Sequence, residues 1–183
     1  MSKTNLAIYD NSWYHPGGSI LKRVSWLFVN AIFFKTTLIP VSRLKVALLR
    51  LFGAKIGTNV EIKPCVNIKY PWHLSIGDYT WIGENVWIDN LTRTTIGSNV
   101  CISQGAMLLT GNHNYKNPGF DLIVKGIIVE DGAWIGAQTV VCPGVKVGSH
   151  TVLAVGSVAT ANLLSYSIYQ GNPAIKTKTR EIG

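Results

Sequence analysis

The chain has 183 residues, enough for one domain with a proper core and an extension. Apolar residues make up 47% and charged residues only 14%, which excludes a disordered chain, and the 18 glycines follow no collagen period. The formal charge of +8 is unevenly spread: between Asp10 and Glu61 there is no acidic residue, while Lys22, Arg23, Lys35, Arg43, Lys45, Arg50 and Lys55 fall in that interval. Such a bias suits anionic partners (phosphates, anionic lipids or nucleic acid) or a solvated helix face.

The first nineteen residues hold no apolar stretch of the kind a secretory signal needs. Cys65, Cys101 and Cys142 are odd in number and widely spaced, so a reducing, cytoplasmic setting without disulfides is expected. Residues 20–52 read as two helices around Pro40. In the second, Leu44, Leu48 and Leu51 share a face at helical spacing and are expected to cap whatever follows. The run Val24 to Phe34 is shorter than the roughly 20 residues a spanning helix requires. Two readings of this segment stand side by side. It packs on the rest of the chain, or Trp26, Phe28, Phe33 and Phe34, beside Lys22, Arg23 and Lys35, meet the inner face of a membrane.

From Ile56 onward the sequence repeats every six residues. "IGTNVE", "IKPCVN", "IGDYTW", "IGENVW", "IDNLTR", "IGSNVC" and "ISQGAM" each begin with an aliphatic residue and carry Val, Thr or Ala four positions later. After an interruption, "VEDGAW", "IGAQTV", "VCPGVK", "VGSHTV" and "LAVGSV" resume the pattern without a slip from Val129. A hexad is too short for a helical unit and suits a short strand and a bend. The aliphatic residue points inward, the small residue fits near the corner, and a glycine is expected to free the backbone at the turn. Coils stacked in this way share one core, which is a solenoid. An ordinary antiparallel barrel does not explain so many hexads in phase. The steps from Ile62 to Ile76 and from Ile88 to Ile96 each exceed a multiple of six by two residues, which reads as insertions at corners.

The hexads "IGSNVCISQGAM", followed by "LLTGNHNY", "WIGAQTVVCPGVKVGSHTVLAVGSV" and "YQGNPAIK", resemble the hexapeptide-repeat acyltransferases, and among them the sugar O-acetyltransferases assigned to colanic acid and other exopolysaccharide pathways. The resemblance covers Ile56 to Lys176. It implies an all-β fold, a left-handed parallel β-helix solenoid with three hexads per triangular coil. The expected organisation is a basic, partly helical extension over 1–53, a β-helix over 54–160 with a loop inserted at 110–126, and a tail over 161–183 ending in a short helix that covers the open end.

The interruption holds His113. A loop inserted in a solenoid projects from the scaffold and is a natural place for function. Moving an acetyl group from a thioester to a hydroxyl needs a proton acceptor as the oxygen attacks, and histidine titrates near neutrality. A surface histidine capping its own loop is the alternative. The resemblance implies that His113 is the general base of a direct transfer from acetyl-CoA to a sugar hydroxyl, and that the acceptor meets Asn90 or Asp89. Either of these two can equally be a corner residue bonded to its own turn. For coenzyme A the resemblance implies a groove between subunits of a homotrimer. It would be lined by Trp134, Ala137, Gly156, Ser157 and Thr160, with Lys176, Lys178 and Arg180 near the nucleotide phosphates.

His15, His73 and His150 are scattered. His73 reads as structural and His150 as solvent-facing. A related β-helix family that binds zinc through three histidines is therefore a poor match, and no metal is expected. No phosphate-binding glycine motif opens a helix. The resemblance also sets nucleic acid aside as a partner and favours a sugar or lipid-linked glycan as acceptor. An amino sugar, serine or an antibiotic as acceptor, and a non-catalytic β-helical scaffold, are the competing readings.

Overall fold

The computed structural model describes residues 3–183. From Lys55 the chain winds through three parallel sheets, returning to the same sheet after every third strand. The first face stacks Lys55–Ile56, Leu74–Ile76, Thr94–Ile96, Ile127–Val129 and Lys146–Val147. The second stacks Glu61–Ile62, Trp81–Ile82, Cys101–Ile102, Trp134–Ile135 and Val152–Leu153, then continues into the C-terminal strands. The third stacks Asn67–Ile68, Trp87–Asp89, Met107–Leu109, Val140–Val141 and Val158–Ala159. Parallel pairing joins each strand to its equivalent one coil away, as in Ile76 opposite Ile96 and Ile82 opposite Ile102.

The first residue of the hexad forms the core. Ile62, Ile82, Ile88, Ile135, Val141 and Val147 have no exposed surface. The residue four positions on is also inward: Val66, Val86, Ala106 and Thr139 are fully buried. Each aliphatic side chain removed from water contributes about 1.5–3 kcal/mol against the entropy of ordering the coil. The threonines are tolerated because their hydroxyls find carbonyls: Thr80 donates to Gly97 at 2.8 Å and Thr139 to Gly136 at 2.8 Å.

The glycines that follow the aliphatic residue have a different role from the expected one. They do not adopt positive φ. That conformation falls two residues later, at Asn59, Tyr79, Asn85, Asn99, Gly132, Gln138, His150 and Gly156 among others. The glycine itself is required by stacking. A Cβ on Gly77 would lie 2.6 Å from the backbone of Gly97, and one on Gly136 would lie 2.6 Å from the Leu153 carbonyl oxygen. The hexad beginning at Ile88 departs from the pattern: its fourth residue, Leu91, is not among the positive-φ positions, and Thr92 is only half-buried.

Helix α1 (Ile20–Val29) runs into a π-helical turn at Asn30–Phe34, and helix α2 (Ser42–Leu51) follows. Together they close the first coil. Lys45 Nζ donates to the Lys63 carbonyl at 2.8 Å, the Ser42 hydroxyl donates to Val60 O and accepts from Ile62 N, and Arg50 donates to Ile56 O and Gly57 O. The face of α2 that packs is therefore Lys45, Val46 and Leu49, whereas Leu44 and Leu51 are exposed. Of the expected leucine face only Leu48 packs against the core; the helix is turned so that Lys45 and Ser42 also reach the unpaired backbone groups of the coil end, which only polar groups can satisfy. Burial pushes the Lys45 ammonium below its ordinary value.

The C-terminal tail is a hairpin, not a helix. Ser167–Gly171 pairs parallel with the second face, and Ala174–Thr179 folds back antiparallel on its outer side. Residues Ile175 to Thr179 carry β-branched residues alternating with lysine, the period of a strand. The Gly171–Pro173 turn joins the two strands.

Candidate active site

The interruption in the hexads is a hairpin. Gly111–His113 pairs antiparallel with Leu122–Val124, and His113 stands opposite Leu122. The hairpin leaves and rejoins the solenoid through Gly111 and Gly126. A Cβ on the first would lie 2.5 Å from Leu91 Cδ1, and one on the second 2.7 Å from the Arg93 carbonyl oxygen. The irregular corner after Ile88 is therefore the surface on which the hairpin rests.

His113 is half-buried and held from two sides. Its Nδ1 lies 2.8 Å from the Phe120 carbonyl oxygen, and its ring stacks on that of Phe120 with centroids 4.5 Å apart and 9° between planes. A carbonyl only accepts, so neutral His113 carries its proton on Nδ1 and keeps the Nε2 lone pair available. Phe120 is itself at φ +55°. The turn that holds it is braced by Asn117, whose side chain bonds Asp121 and accepts from Gly119 N.

His113 lines a cavity of about 330 Å³ together with Asp89, Lys69, Asn112, Tyr9 and Asn11. Asp89 is at the end of its strand and pairs with Lys69 Nζ at 2.9 Å. Asn90, next to it, is fully buried. It donates to the Tyr70 carbonyl at 2.7 Å and accepts from Tyr70 N at 2.9 Å, locking two coils together. Of the two residues expected to meet the acceptor, only Asp89 lines the cavity.

The N-terminal segment forms one wall of this cavity, which composition gave no reason to expect. Asn5 N donates to the Pro118 carbonyl at 2.8 Å, and the Tyr9 ring centroid is 5.8 Å from that of His113. The Tyr14 hydroxyl donates to Leu91 O at 2.7 Å. Burial, with Tyr70 and Asp89 nearby, pushes its ionisation well above the ordinary phenol value. The strap ends where Trp72 Nε1 donates to the Pro16 carbonyl and His73 Nε2 meets the same oxygen at 3.0 Å. His73 is thus structural, and His150 is half-buried against Tyr166 rather than turned to solvent.

The residues expected to hold a thioester donor lie on the second face and its corner. Trp134 is 49% exposed, and its Nε1 donates to Ser103 Oγ at 2.9 Å. Ala137 accepts from Gly156 N, while its own N–H donates to no group among the described residues. Gly156 is exposed, and a Cβ there would meet nothing within 4 Å. Thr160 and Lys176 are exposed. Ser157 is not available: it is buried and its hydroxyl accepts from Gly171 N at 3.0 Å. Arg180 is likewise engaged, with Nη1 donating to Gly132 O and His150 O at 3.1 Å. No cluster of three or more metal-binding side chains occurs among the described residues.

No protein-family model matches the chain. In sequence it is 38% identical over 164 residues to WcaF of Escherichia coli strain K12, named as a putative colanic acid biosynthesis acetyltransferase, with 90% of each chain covered. The galactoside O-acetyltransferase of the same organism is 28% identical over 130 residues, covering 69% of this chain and 64% of that one. In structure, a hexapeptide-repeat acetyltransferase of Vibrio cholerae, solved with acetyl coenzyme A, superposes with a TM-score of 0.78 at 24% identity, covering 88% of each chain. The identity to WcaF over almost the whole chain, together with the coil geometry, makes this protein a member of the hexapeptide-repeat acetyltransferases, built on their left-handed parallel β-helix.

Proposed function

We propose that the protein transfers an acetyl group directly from acetyl-CoA to a sugar hydroxyl, in the synthesis of an exopolysaccharide or other glycan, with His113 as general base. The observation that carries this reading is the fixed tautomer of His113 at a cavity shared with Asp89. The acceptor hydroxyl sits beside Nε2, and Asp89 accepts a hydrogen bond from a neighbouring sugar hydroxyl. As the oxygen attacks, Nε2 takes its proton. Imidazolium then forms on a ring whose Nδ1–H is already bonded to a carbonyl, which stabilises the charge. Acetyl-CoA supplies the activated acyl group; as the tetrahedral intermediate collapses its C–S bond breaks, and the departing thiolate takes the proton from Nε2 to leave as the free thiol. The oxyanion of the tetrahedral intermediate is assigned to the Ala137 N–H, a reading supported by its lack of a partner among the described residues. Trp134 and the open surface at Gly156 suit the pantetheine arm, and Lys176 a phosphate.

The active form is proposed to be a homotrimer in which the donor groove of one subunit faces the hairpin of the next. Peripheral contact with a membrane is assigned to the outer side of the N-terminal helices. Leu21, Phe28, Ile32 and Leu38 are each more than half exposed there, whereas Trp26 and Phe34 are buried against the solenoid. No helix among the described residues is long and apolar enough to cross a membrane.

The test is thiol release from acetyl-CoA with a panel of sugars, for wild type and His113→Ala. Acceptor-dependent release that collapses in the variant supports the reading. Equal rates would remove His113 from the mechanism. Binding of acetyl-CoA without turnover of any sugar, amine or serine would favour a non-catalytic role.

A further inference from the structure

A second cavity, about 550 Å³, lies between α1 and the third face of the solenoid. Its lining includes the apolar side chains of Val24 and Leu27 from α1 and Trp87 from the coil, all three at least 40% exposed. The same lining carries three cations, Arg23, Lys35 and Lys69, and one carboxylate, Asp89. Lys69 is paired with Asp89, but neither Arg23 nor Lys35 has an acidic partner among the described residues. Arg23 Nε is buried and bonded to no group among those residues. A guanidinium nitrogen withdrawn from water and left unbonded costs stability unless a ligand satisfies it, and an anion does so best.

The groove adjoins the candidate active site. Lys69 and Asp89 line it and also line the cavity of His113, so the two spaces adjoin across that ion pair. We propose that the groove binds the phosphate-linked lipid of the acceptor. A glycosyl phosphate or diphosphate would set its anionic group among Arg23, Lys35 and Lys69. Its hydrocarbon would lie along Val24, Leu27 and Trp87, and its sugar would pass Asp89 to reach His113. An anion alone leaves the apolar lining unused, and a neutral lipid leaves Arg23 unsatisfied. The inference rests on the reading of the His113 cavity as the acceptor site, and it makes the substrate class a lipid-linked glycan.

The experiment measures binding, so that it stands apart from catalysis. Farnesyl diphosphate, farnesol and inorganic pyrophosphate are titrated by calorimetry into the full-length protein and into His113→Ala. Farnesyl diphosphate is expected to bind both proteins alike, and the other two to bind roughly tenfold more weakly or worse. Arg23→Gln and Lys35→Gln are each expected to weaken farnesyl diphosphate binding by roughly tenfold. Lys35 is exposed, so its variant tests the site even if Arg23→Gln melts early. Pyrophosphate binding as tightly as farnesyl diphosphate would overturn the lipid assignment in favour of a soluble phosphorylated sugar. Absence of binding, or binding indifferent to both variants, would overturn the site, including the case where a second copy of the chain covers the groove. Loss of acetyl transfer with intact farnesyl diphosphate binding would instead count against the catalytic reading alone.

Discussion

The imidazole of His113 and the backbone carbonyl of Phe120 are joined at 2.8 Å, seven residues apart and across the mouth of one hairpin. The bond fixes which nitrogen carries the proton. An asparagine at 113 keeps an N–H to offer this carbonyl but supplies no base. His113→Asn is expected to lower kcat by roughly 10²–10⁴-fold while leaving the acceptor KM within a few-fold. The check is steady-state kinetics with each substrate varied. An equal loss in KM with kcat intact would make His113 a binding residue.

Asp89 and Asn90 are adjacent, but their variants should fail in different assays. Asp89→Asn is expected to raise the acceptor KM and leave the melting temperature nearly unchanged, since its ion pair with Lys69 is partly solvated. Asn90→Ala strands the Tyr70 N–H and carbonyl in a buried joint and should cost about 1–3 kcal/mol. Chemical denaturation of both variants beside their kinetics would separate the roles. The assignment fails if Asn90→Ala is as stable as wild type.

Deleting residues 1–18 removes Tyr9, Asn11 and Tyr14 from the wall of the His113 cavity. The acceptor KM should rise and discrimination among sugars should relax, while the KM for acetyl-CoA stays level. The solenoid should persist, because its ladders do not involve this segment. Circular dichroism together with acceptor and donor titrations would show it; a parallel rise in both KM values would contradict it.

Two glycines distinguish stacking from backbone conformation. Gly156 is at φ +69° in open space, so Gly156→Ala should cost about 1–2 kcal/mol through conformation alone. Gly136 has no such φ, but a Cβ there meets the next coil at 2.6 Å. Gly136→Ala should therefore cost more than Gly156→Ala, because backbone on two coils must part. Thermal melts of the two proteins provide the comparison, and the reverse order would refute the packing argument.

The hexad phase was legible from residue types because a six-residue period leaves one inward position for large aliphatic residues and one for small ones. By the same rule Ser157, fifth in "LAVGSV", was marked as inward, and assigning it to a ligand groove overlooked its own register. His113 stood out because it interrupts that register. What composition cannot give is the direction of a side chain at a corner, and so Asn90 and Asp89 were indistinguishable until Tyr70 was placed beside them. The Tyr9–Tyr14 wall was invisible for another reason. It reaches the hairpin over about a hundred residues of chain, and no repeat carries register between them. In the tail, lysines drew attention to charge, while the alternation from Ile175 to Thr179 carried the structural information.

The two ends of the coil stack are finished by unlike means, one by polar side chains from α2 and the other by an added hairpin. A parallel stack has no intrinsic length, since every coil is a template for the next. An uncovered terminal coil would accept the terminal coil of another molecule and begin a fibre. Lys45, Ser42 and Arg50 at one end, and the lysine-bearing outer strand at the other, therefore act as chain terminators of a one-dimensional polymer. They allow the molecule to present long, repetitive side faces for assembly while its ends remain inert.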